Sequence, residues 1–258
     1  MQTTFQAGPD GFRALGLGET TRAALGRTGF TEPSPVQAQL IPPALAGRDC
    51  VGNAPTGTGK TLTAFLAFID RFKAQAEAGE LPEALCVIYV SPLKSLAADI
   101  RENLKPPNEG IAGPQLRMAM RTGDTTSYER QKMLTHPPHI LITTPESLYL
   151  LLTSPRSRKM LRTAQAVIVD EMHALIGPKR GAHLMLSLAR LDELCGRRLQ
   201  RIGLSATIQP LQRAADYLAY PAPCMIVAPE IRKGKEIRVL SPLPDLRAVQ
   251  GTIWPDIA

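Results

Sequence analysis

Aromatic residues are scarce, since Phe, Trp and Tyr together make up 5% of the 258 residues. A platform of aromatic side chains that stacks on nucleic-acid bases is therefore not expected. Apolar runs of about 18 residues, which a membrane-spanning helix needs, are also missing. Residues 1–11 have neither the basic start nor the apolar stretch of a signal peptide. We expect a cytoplasmic protein that does not interact with membranes.

Cysteines are few, and no C-x-x-C pair occurs. They lie far apart along the sequence, at Cys50, Cys86, Cys195 and Cys224. This pattern is typical of reduced, buried thiols in a cytoplasmic protein. The four histidines show no metal-ligand spacing with cysteine or acidic residues, which argues against a structural zinc site.

Acidic residues are outnumbered, because 23 Asp and Glu stand against 30 Lys and Arg. The resulting net charge of +7 favours a polyanionic partner. Since aromatic residues are few, contacts with a nucleic acid should go mainly to phosphates and sugars.

A phosphate-binding loop is the strongest motif. It reads Ala54-Pro55-Thr56-Gly57-Thr58-Gly59-Lys60-Thr61, which fits G-x-x-x-x-G-K-[ST] if alanine replaces the first glycine. A strand-like run precedes it and a helix-like run follows, as this motif requires. The alternative is a glycine-rich turn that happens to end in Lys-Thr.

The residue types of this loop suit a nucleoside triphosphate. Gly57 and Gly59 allow backbone N–H groups to turn inward around phosphates, at the positive end of the following helix. Lys60 supplies a charge for the β and γ phosphates, and the Thr61 hydroxyl can ligate Mg²⁺. All eight loop residues are therefore candidate nucleotide contacts.

Strand-like and helix-like segments alternate after the loop. The predicted strands are 50–53, 85–90, 116–120, 139–143, 165–169 and 200–204. The predicted helices are 12–29, 36–46, 59–77, 94–104, 126–134, 145–152, 182–195 and 210–219. Several strands are continuous apolar runs, which indicates burial on both faces of a sheet. The pattern predicts an α/β fold with a doubly wound, mostly parallel sheet.

Two strand ends carry polar residues that suit phosphate chemistry. The run 166–169 ends in Asp170-Glu171-Met172-His173. Asp170 is a candidate Mg²⁺ ligand opposite Thr61, and Glu171 a candidate base for the attacking water. The alternatives are a solvated acid pair at a helix start and, for His173, a polar cap. The next strand end carries the hydroxyl residues Ser205 and Thr207, which could relay the state of the γ phosphate to His173.

Together the loop, Asp-Glu-x-His and Ser-Ala-Thr resemble the first motor domain of a superfamily 2 helicase, over roughly residues 12–220. The resemblance implies a RecA-like P-loop NTPase domain with Lys60, Asp170 and Glu171 as catalytic residues. Gly29-Phe30-x-x-Pro33-Ser34-x-x-Gln37 is similar to the adenine-reading Q motif of DEAD-box proteins. By that similarity Gln37 bonds the adenine edge and Phe12 stacks on it. The alternatives are a helix-surface amide and a core aromatic.

Further segments are similar to those with which this superfamily holds one nucleic-acid strand. They contain the candidate contacts Pro92, Leu93, Lys94, Gly123, Asp124, Thr144, Pro145 and Glu146. The stretch 179–184, with Arg180, resembles the large-helicase-related (Lhr) branch, as does Asp170-Glu171-Met172-His173. Arg180 either contacts the nucleic-acid backbone or caps a surface loop.

The leading interpretation is the ATP-binding domain of an Lhr-like, ATP-dependent helicase or translocase. It uses ATP and Mg²⁺ and acts on single-stranded or partly duplex DNA or RNA. Residues 1–11 are interpreted as a lead-in, 12–220 as the motor domain, and the proline-rich 221–258 as a connector toward a second RecA-like domain. Such a fragment should bind nucleotide with little turnover, since that second domain supplies arginines to the phosphates.

Two other interpretations remain open. A P-loop kinase or transporter ATPase would carry a lid or a signature loop, and neither is apparent. A non-enzymatic nucleic-acid clamp would not need Lys60, Thr61, Asp170 and Glu171 intact.

Overall fold

The computed structural model describes residues 11–27, 29–93 and 116–230. The predicted helix at 94–104, the candidate Lys94, the lead-in up to residue 10 and the connector from 231 lie outside these ranges. Within them, none of the helices combines the length and apolarity that a membrane crossing requires.

A seven-stranded sheet forms the centre of the described chain. The strands are β1 (Asp49–Asn53), β2 (Val87–Val90), β3 (Met118–Arg121), β4 (Ile140–Thr143), β5 (Ala166–Val169), β6 (Gln200–Ser205) and β7 (Cys224–Val227). Their spatial order is β3-β4-β2-β5-β6-β1-β7, and every neighbouring pair is parallel. The predicted doubly wound α/β fold is confirmed.

Strand β7 lies in the segment interpreted as a connector. Cys224–Val227 pairs with β1 in register Asp49↔Cys224 to Gly52↔Val227. Four residues between prolines are too short to show a strand period, so only the pairing with β1 shows that they belong to the sheet. The sheet therefore continues past residue 220, where the predicted motor domain was expected to end.

Eight α-helices cover the described part of the sheet. They are α1 (Glu19–Arg27), α2 (Pro35–Leu45), α3 (Lys60–Glu77), α4 (Ser127–Thr135), α5 (Pro145–Thr153), α6 (Pro155–Leu161), α7 (Lys179–Cys195) and α8 (Leu211–Ala219). The short α6 was not predicted from the sequence. The predicted helix at 12–29 begins only at Glu19, because residues 11–16 form turns and Gly16 has φ 82°.

The core lies on both faces of the sheet. One cluster joins α2 and α3 to strand residues such as Tyr89 and Ile168, and another joins α5, α7 and α8 to residues such as Ile88 and Val167. Every residue of β2, β4 and β5 is buried. The continuous apolar runs thus have the two-sided burial that they predicted. Because all strands run parallel, their carboxyl ends share one edge, and the candidate site lies there.

Candidate functional site

The phosphate loop connects β1 to α3. Gly57 and Gly59 have φ of 77° and 81°, a region that side chains with a Cβ rarely adopt. Gly59 directly precedes Lys60, the first residue of α3, so the helix N-terminus opens into the loop. The backbone has the form that the sequence predicted for an anion-binding turn.

The side chains of the loop bond to one of its own carbonyls. Lys60 is 7% exposed, and its Nζ donates to the Pro55 carbonyl oxygen at 2.8 Å. The Thr58 hydroxyl donates to the same oxygen at 2.7 Å. Ala54, at the position of the missing glycine, is buried and donates its N–H to the Ser205 carbonyl at 3.1 Å. The loop is thereby attached to β6, while Thr56 is exposed.

The acidic end of β5 meets this loop. The Thr61 hydroxyl lies 3.3 Å from Asp170 Oδ2, although 109 residues separate them in sequence. The other oxygen, Asp170 Oδ1, accepts the Glu171 N–H at 2.8 Å. Asp170 is 4% exposed, so the solvated acid pair considered from the sequence does not describe it. The predicted pairing of Thr61 with Asp170 is present.

Glu171 has a constrained backbone and a perturbed carboxyl group. Its φ is 48°, the one positive value of a non-glycine residue in the described chain. Burial raises the pKa of Glu171, and the neighbouring Asp170 adds to this, while His173 and Lys60 act in the opposite direction. A raised pKa suits a group that must take up a proton.

His173 connects Glu171 to the end of β6. Its Nδ1 lies 3.2 Å from Glu171 Oε2 and 3.3 Å from Ser205 Oγ. The histidine therefore has partners on two strand ends, as the coupling interpretation expected. Thr207 is exposed, and no hydrogen bond to His173 joins it among the described side chains.

One contact of this site was not foreseen. The Tyr89 hydroxyl donates to Asp170 Oδ2 from within β2. The sequence offered no signal for this contact, because Tyr89 stands in the apolar run 85–90 as one of its hydrophobic residues.

The Q-motif residues lie against the phosphate loop. Gln37 Oε1 accepts the Ser34 N–H at 2.8 Å, and Ser34 Oγ donates to the Thr58 carbonyl at 3.0 Å. A Cβ placed on Gly59 would stand 3.1 Å from Gln37 Nε2. Gln37 is 3% exposed and is therefore not a helix-surface amide. The adenine contact itself stays a prediction.

Phe12 is placed differently. It is 6% exposed and packs with Leu15, Leu25, Ile41 and other apolar residues in a small cluster beside α1–α3. This is the packing of a core aromatic, the alternative considered from the sequence, so adenine stacking by Phe12 is not carried forward.

The candidate nucleic-acid contacts follow the neighbouring strands β2, β3 and β4. Leu93, Gly123 and Asp124 are exposed at this edge, whereas Pro92 is buried. Thr144 caps α5 by accepting the Ser147 N–H, so that Pro145 begins the helix. The described candidates share the sheet edge with the phosphate loop.

Arg180 and Glu146 form a two-point ion pair. Arg180 Nε lies 2.5 Å from Glu146 Oε1, and a second guanidinium nitrogen lies 3.1 Å from Oε2. The hydrogen bond from Arg180 lowers the pKa of Glu146. Two residues that were each predicted to contact a nucleic acid are therefore partners of one another.

Comparisons with known proteins agree with this arrangement. A family model described as DEAD/DEAH box helicase matches residues 34–214. The chain is 46% identical over 235 residues to the ATP-dependent helicase Lhr-Core of Methanothermobacter thermautotrophicus, covering 86% of this chain and 27% of the relative. It is 44% identical over 240 residues to the Lhr helicase/probable uracil glycosylase of Mycolicibacterium smegmatis, covering 89% and 16%.

A solved structure, Mycobacterium smegmatis helicase Lhr bound to ssDNA and AMP-PNP, has a TM-score of 0.81 and 42% identity to this chain. The match covers 97% of this chain and 32% of that one. The chain thus spans well under half the length of these relatives. The matches confirm the resemblance to the RecA-like motor domain of Lhr-like helicases, and the chain belongs to the DEAD/DEAH box helicase family.

Proposed function

We propose that this chain is the ATP-binding motor domain of an ATP-dependent helicase or translocase that holds one nucleic-acid strand by its backbone. The observation that carries the proposal is the 3.3 Å approach of Thr61 Oγ1 to Asp170 Oδ2. It joins a phosphate-binding loop to an acidic strand end, the two parts that nucleotide hydrolysis needs. The DEAD/DEAH match over residues 34–214 supports the same reading.

The donor set at this point fits Mg²⁺. A hydroxyl and a carboxylate are hard oxygen ligands, and Mg²⁺ takes few protein ligands because substrate phosphates and waters fill the rest. Thr61 and Asp170 would hold the ion. An ion held there would supply positive charge against the negative charge of the phosphates.

The loop would bind the phosphates of ATP. Gly57 and Gly59 leave the backbone N–H groups accessible at the start of α3, and Gln37 stands beside Gly59 to meet the adenine. Lys60 would move its ammonium group from the Pro55 carbonyl to the β and γ phosphates. The Thr58 hydroxyl continues to bond that carbonyl, which keeps the loop in shape.

Glu171 would orient the attacking water and take its proton. Its raised pKa makes the carboxylate a stronger base toward the proton of the attacking water. His173, between Glu171 and Ser205, would transmit the state of the nucleotide to β6. Thr207 belongs to this coupling only if it approaches His173 on nucleotide binding.

The nucleic-acid strand would run along the ends of β2, β3 and β4. Its proposed contacts are Pro92, Leu93, Lys94, Gly123, Asp124, Thr144, Pro145, Glu146 and Arg180. Exposed backbone and small polar groups at strand ends receive phosphate oxygens without reading sequence. Single-stranded or partly duplex DNA or RNA suits this chemistry, and the net charge of +7 supports it.

A second RecA-like domain would complete the nucleotide site, and residues 228–258 would lead toward it. An arginine supplied across such an interface accelerates phosphoryl transfer by about 10³–10⁵-fold. A cytoplasmic location belongs to the same proposal and is supported by the four unpaired cysteines.

The test compares steady-state ATPase activity of the 258-residue chain with that of a chain extended by the following domain of its gene, each with and without single-stranded DNA or RNA. We expect trace turnover in the short chain and strand-stimulated turnover in the extended one, since domain closure aligns the reacting groups. Robust, strand-stimulated hydrolysis by the short chain alone would show that its site is complete without a partner domain. No ATP binding by either chain would overturn the proposal itself.

A further inference from the structure

Tyr89 occupies an unusual place for a hydroxyl group. It stands inside the buried strand β2, is 0% exposed, and packs in the apolar cluster between the sheet and α3. Its ring stacks on Phe65 of α3, with centroids 5.1 Å apart and planes at 27°. A phenylalanine would satisfy this packing equally well, so the ring alone does not account for the hydroxyl.

The Tyr89 hydroxyl donates to Asp170 Oδ2 and also interacts with the Thr61 side chain. Strand pairing explains why the Tyr89 hydroxyl reaches Asp170. Tyr89 lies opposite Ile168 and Val90 opposite Val169, so the end of β5 lies beside the end of β2. The Asp170 N–H also donates to the Val90 carbonyl at 2.9 Å. Backbone and side chain of Asp170 are both attached to β2.

The carboxylate of Asp170 is thereby held at both oxygens. Oδ1 accepts the Glu171 N–H at 2.8 Å, and Oδ2 faces the hydroxyls of Tyr89 and Thr61. A phenol is protonated at neutral pH, so the Tyr89 hydroxyl is the donor in this hydrogen bond. A buried carboxylate needs such donors, because an unpaired charge at 4% exposure is costly.

We propose that Tyr89 is a positioning residue for Mg²⁺: its hydroxyl fixes the orientation of Asp170, and through the shared oxygen that of Thr61, so that both face the ion. This inference rests on the proposed ATP–Mg²⁺ function of the site. Tyr89 would act through Asp170 and would not itself bind the ion. Partners that orient a metal ligand in this way typically change metal affinity by about 10–100-fold when removed.

Tyr89→Phe tests the role, because it removes one oxygen atom and leaves the ring on Phe65. The matched control is Tyr217→Phe on α8, which removes the hydroxyl that donates to the Gly181 carbonyl at 2.9 Å, away from the phosphate loop. Both variants lose one phenol hydrogen bond. Only Tyr89→Phe removes it from Asp170.

The measurement titrates Mg²⁺ into the 258-residue chain with a fluorescent ATP analogue and records the half-saturating Mg²⁺ concentration, with affinity in EDTA as the metal-free reference. We expect about a tenfold rise in half-saturation for Tyr89→Phe, no change for Tyr217→Phe, and unchanged affinity in EDTA. Melting temperatures verify that each variant is folded.

Three outcomes contradict the inference. A half-saturation for Tyr89→Phe that is unchanged or lowered would overturn the positioning role, while leaving the proposed function intact. An equal loss of nucleotide affinity in EDTA would show that the hydroxyl supports the fold of the whole site instead. If the unaltered chain bound the analogue without any influence of Mg²⁺, the proposed function and this inference would both fail.

Discussion

Lys60→Ala is the sharpest test of the phosphate loop, because the structure shows the hydrogen bond that the side chain would give up on binding a nucleotide. Its ammonium group donates to the Pro55 carbonyl at 2.8 Å. We expect nucleotide binding to exchange that bond for bonds to the β and γ phosphates. A hydrogen bond involving a charged group contributes about 1.5–3 kcal/mol.

The expected loss follows from that exchange. Two charged bonds form and one is given up, so the net loss is about one such bond, or at least about 1.4 kcal/mol. This corresponds to tenfold weaker ATP binding. The loop should keep its shape in the variant, since the Thr58 hydroxyl still donates to the Pro55 carbonyl at 2.7 Å.

The assay is a titration with a fluorescent ATP analogue. Arg71→Ala is the control: it removes one positive charge from the same helix, roughly three turns away, where the guanidinium lies over the Phe68 ring. Arg71→Ala should bind as the unaltered chain does. Equal affinities of Lys60→Ala and the unaltered chain would place the phosphates elsewhere.

Three further predictions concern charged residues of the site. Glu171→Gln in the extended chain should bind ATP and fail to hydrolyse it, because an amide cannot accept the proton; retained turnover would assign the base to another residue. The folded-state pKa of Glu171 lies above its ordinary 4.5, so its carboxylate opposes folding at neutral pH, and Glu171→Gln should raise the melting temperature there. That advantage should fade as the pH falls through the raised folded-state pKa of Glu171 toward 4.5, and it should be absent at lower pH, where both side chains are neutral; a pH-independent difference would contradict this prediction. Glu146→Gln should release Arg180 for a phosphate and steepen the plot of log binding constant against log salt concentration for single-stranded DNA by about 0.7. The control Glu193→Gln, at an exposed acid near the end of α7, should leave this slope unchanged. Equal slopes for the two variants would mean that Arg180 contacts no phosphate.

The sequence predicted most of the geometry of the candidate nucleotide site, because each part of it is local. The loop at 54–61 needs two glycines, a lysine and a threonine, and these few residues determine its geometry. Asp170 and Glu171 follow an apolar run that ends abruptly, which marks a strand end in a parallel sheet. Residue type and spacing therefore sufficed to predict that Thr61 and Asp170 would meet.

The same reasoning was not sufficient where a residue could lie in either of two environments. Phe12 could stack on a base or fill a core, and only packing against Leu15 and Leu25 distinguishes these roles. Glu146 and Arg180 were each assigned to a nucleic acid, yet their pairing depends on how α5 lies against α7. Neither the packing of Phe12 nor the ion pair between Glu146 and Arg180 can be predicted from the residues adjacent in sequence.

The sequence by itself determined the fold class, the family and the polar groups at each strand end, because these follow from periodicity and from short motifs. The tertiary structure alone decided that Cys224–Val227 joins the sheet beside β1 and that the Tyr89 hydroxyl bonds Asp170. Both depend on strands that are distant in sequence and adjacent in space. A four-residue strand is too short for its sequence pattern to identify it as a strand. A tyrosine in an apolar run cannot be distinguished from a core aromatic until its neighbour on the adjacent strand is known.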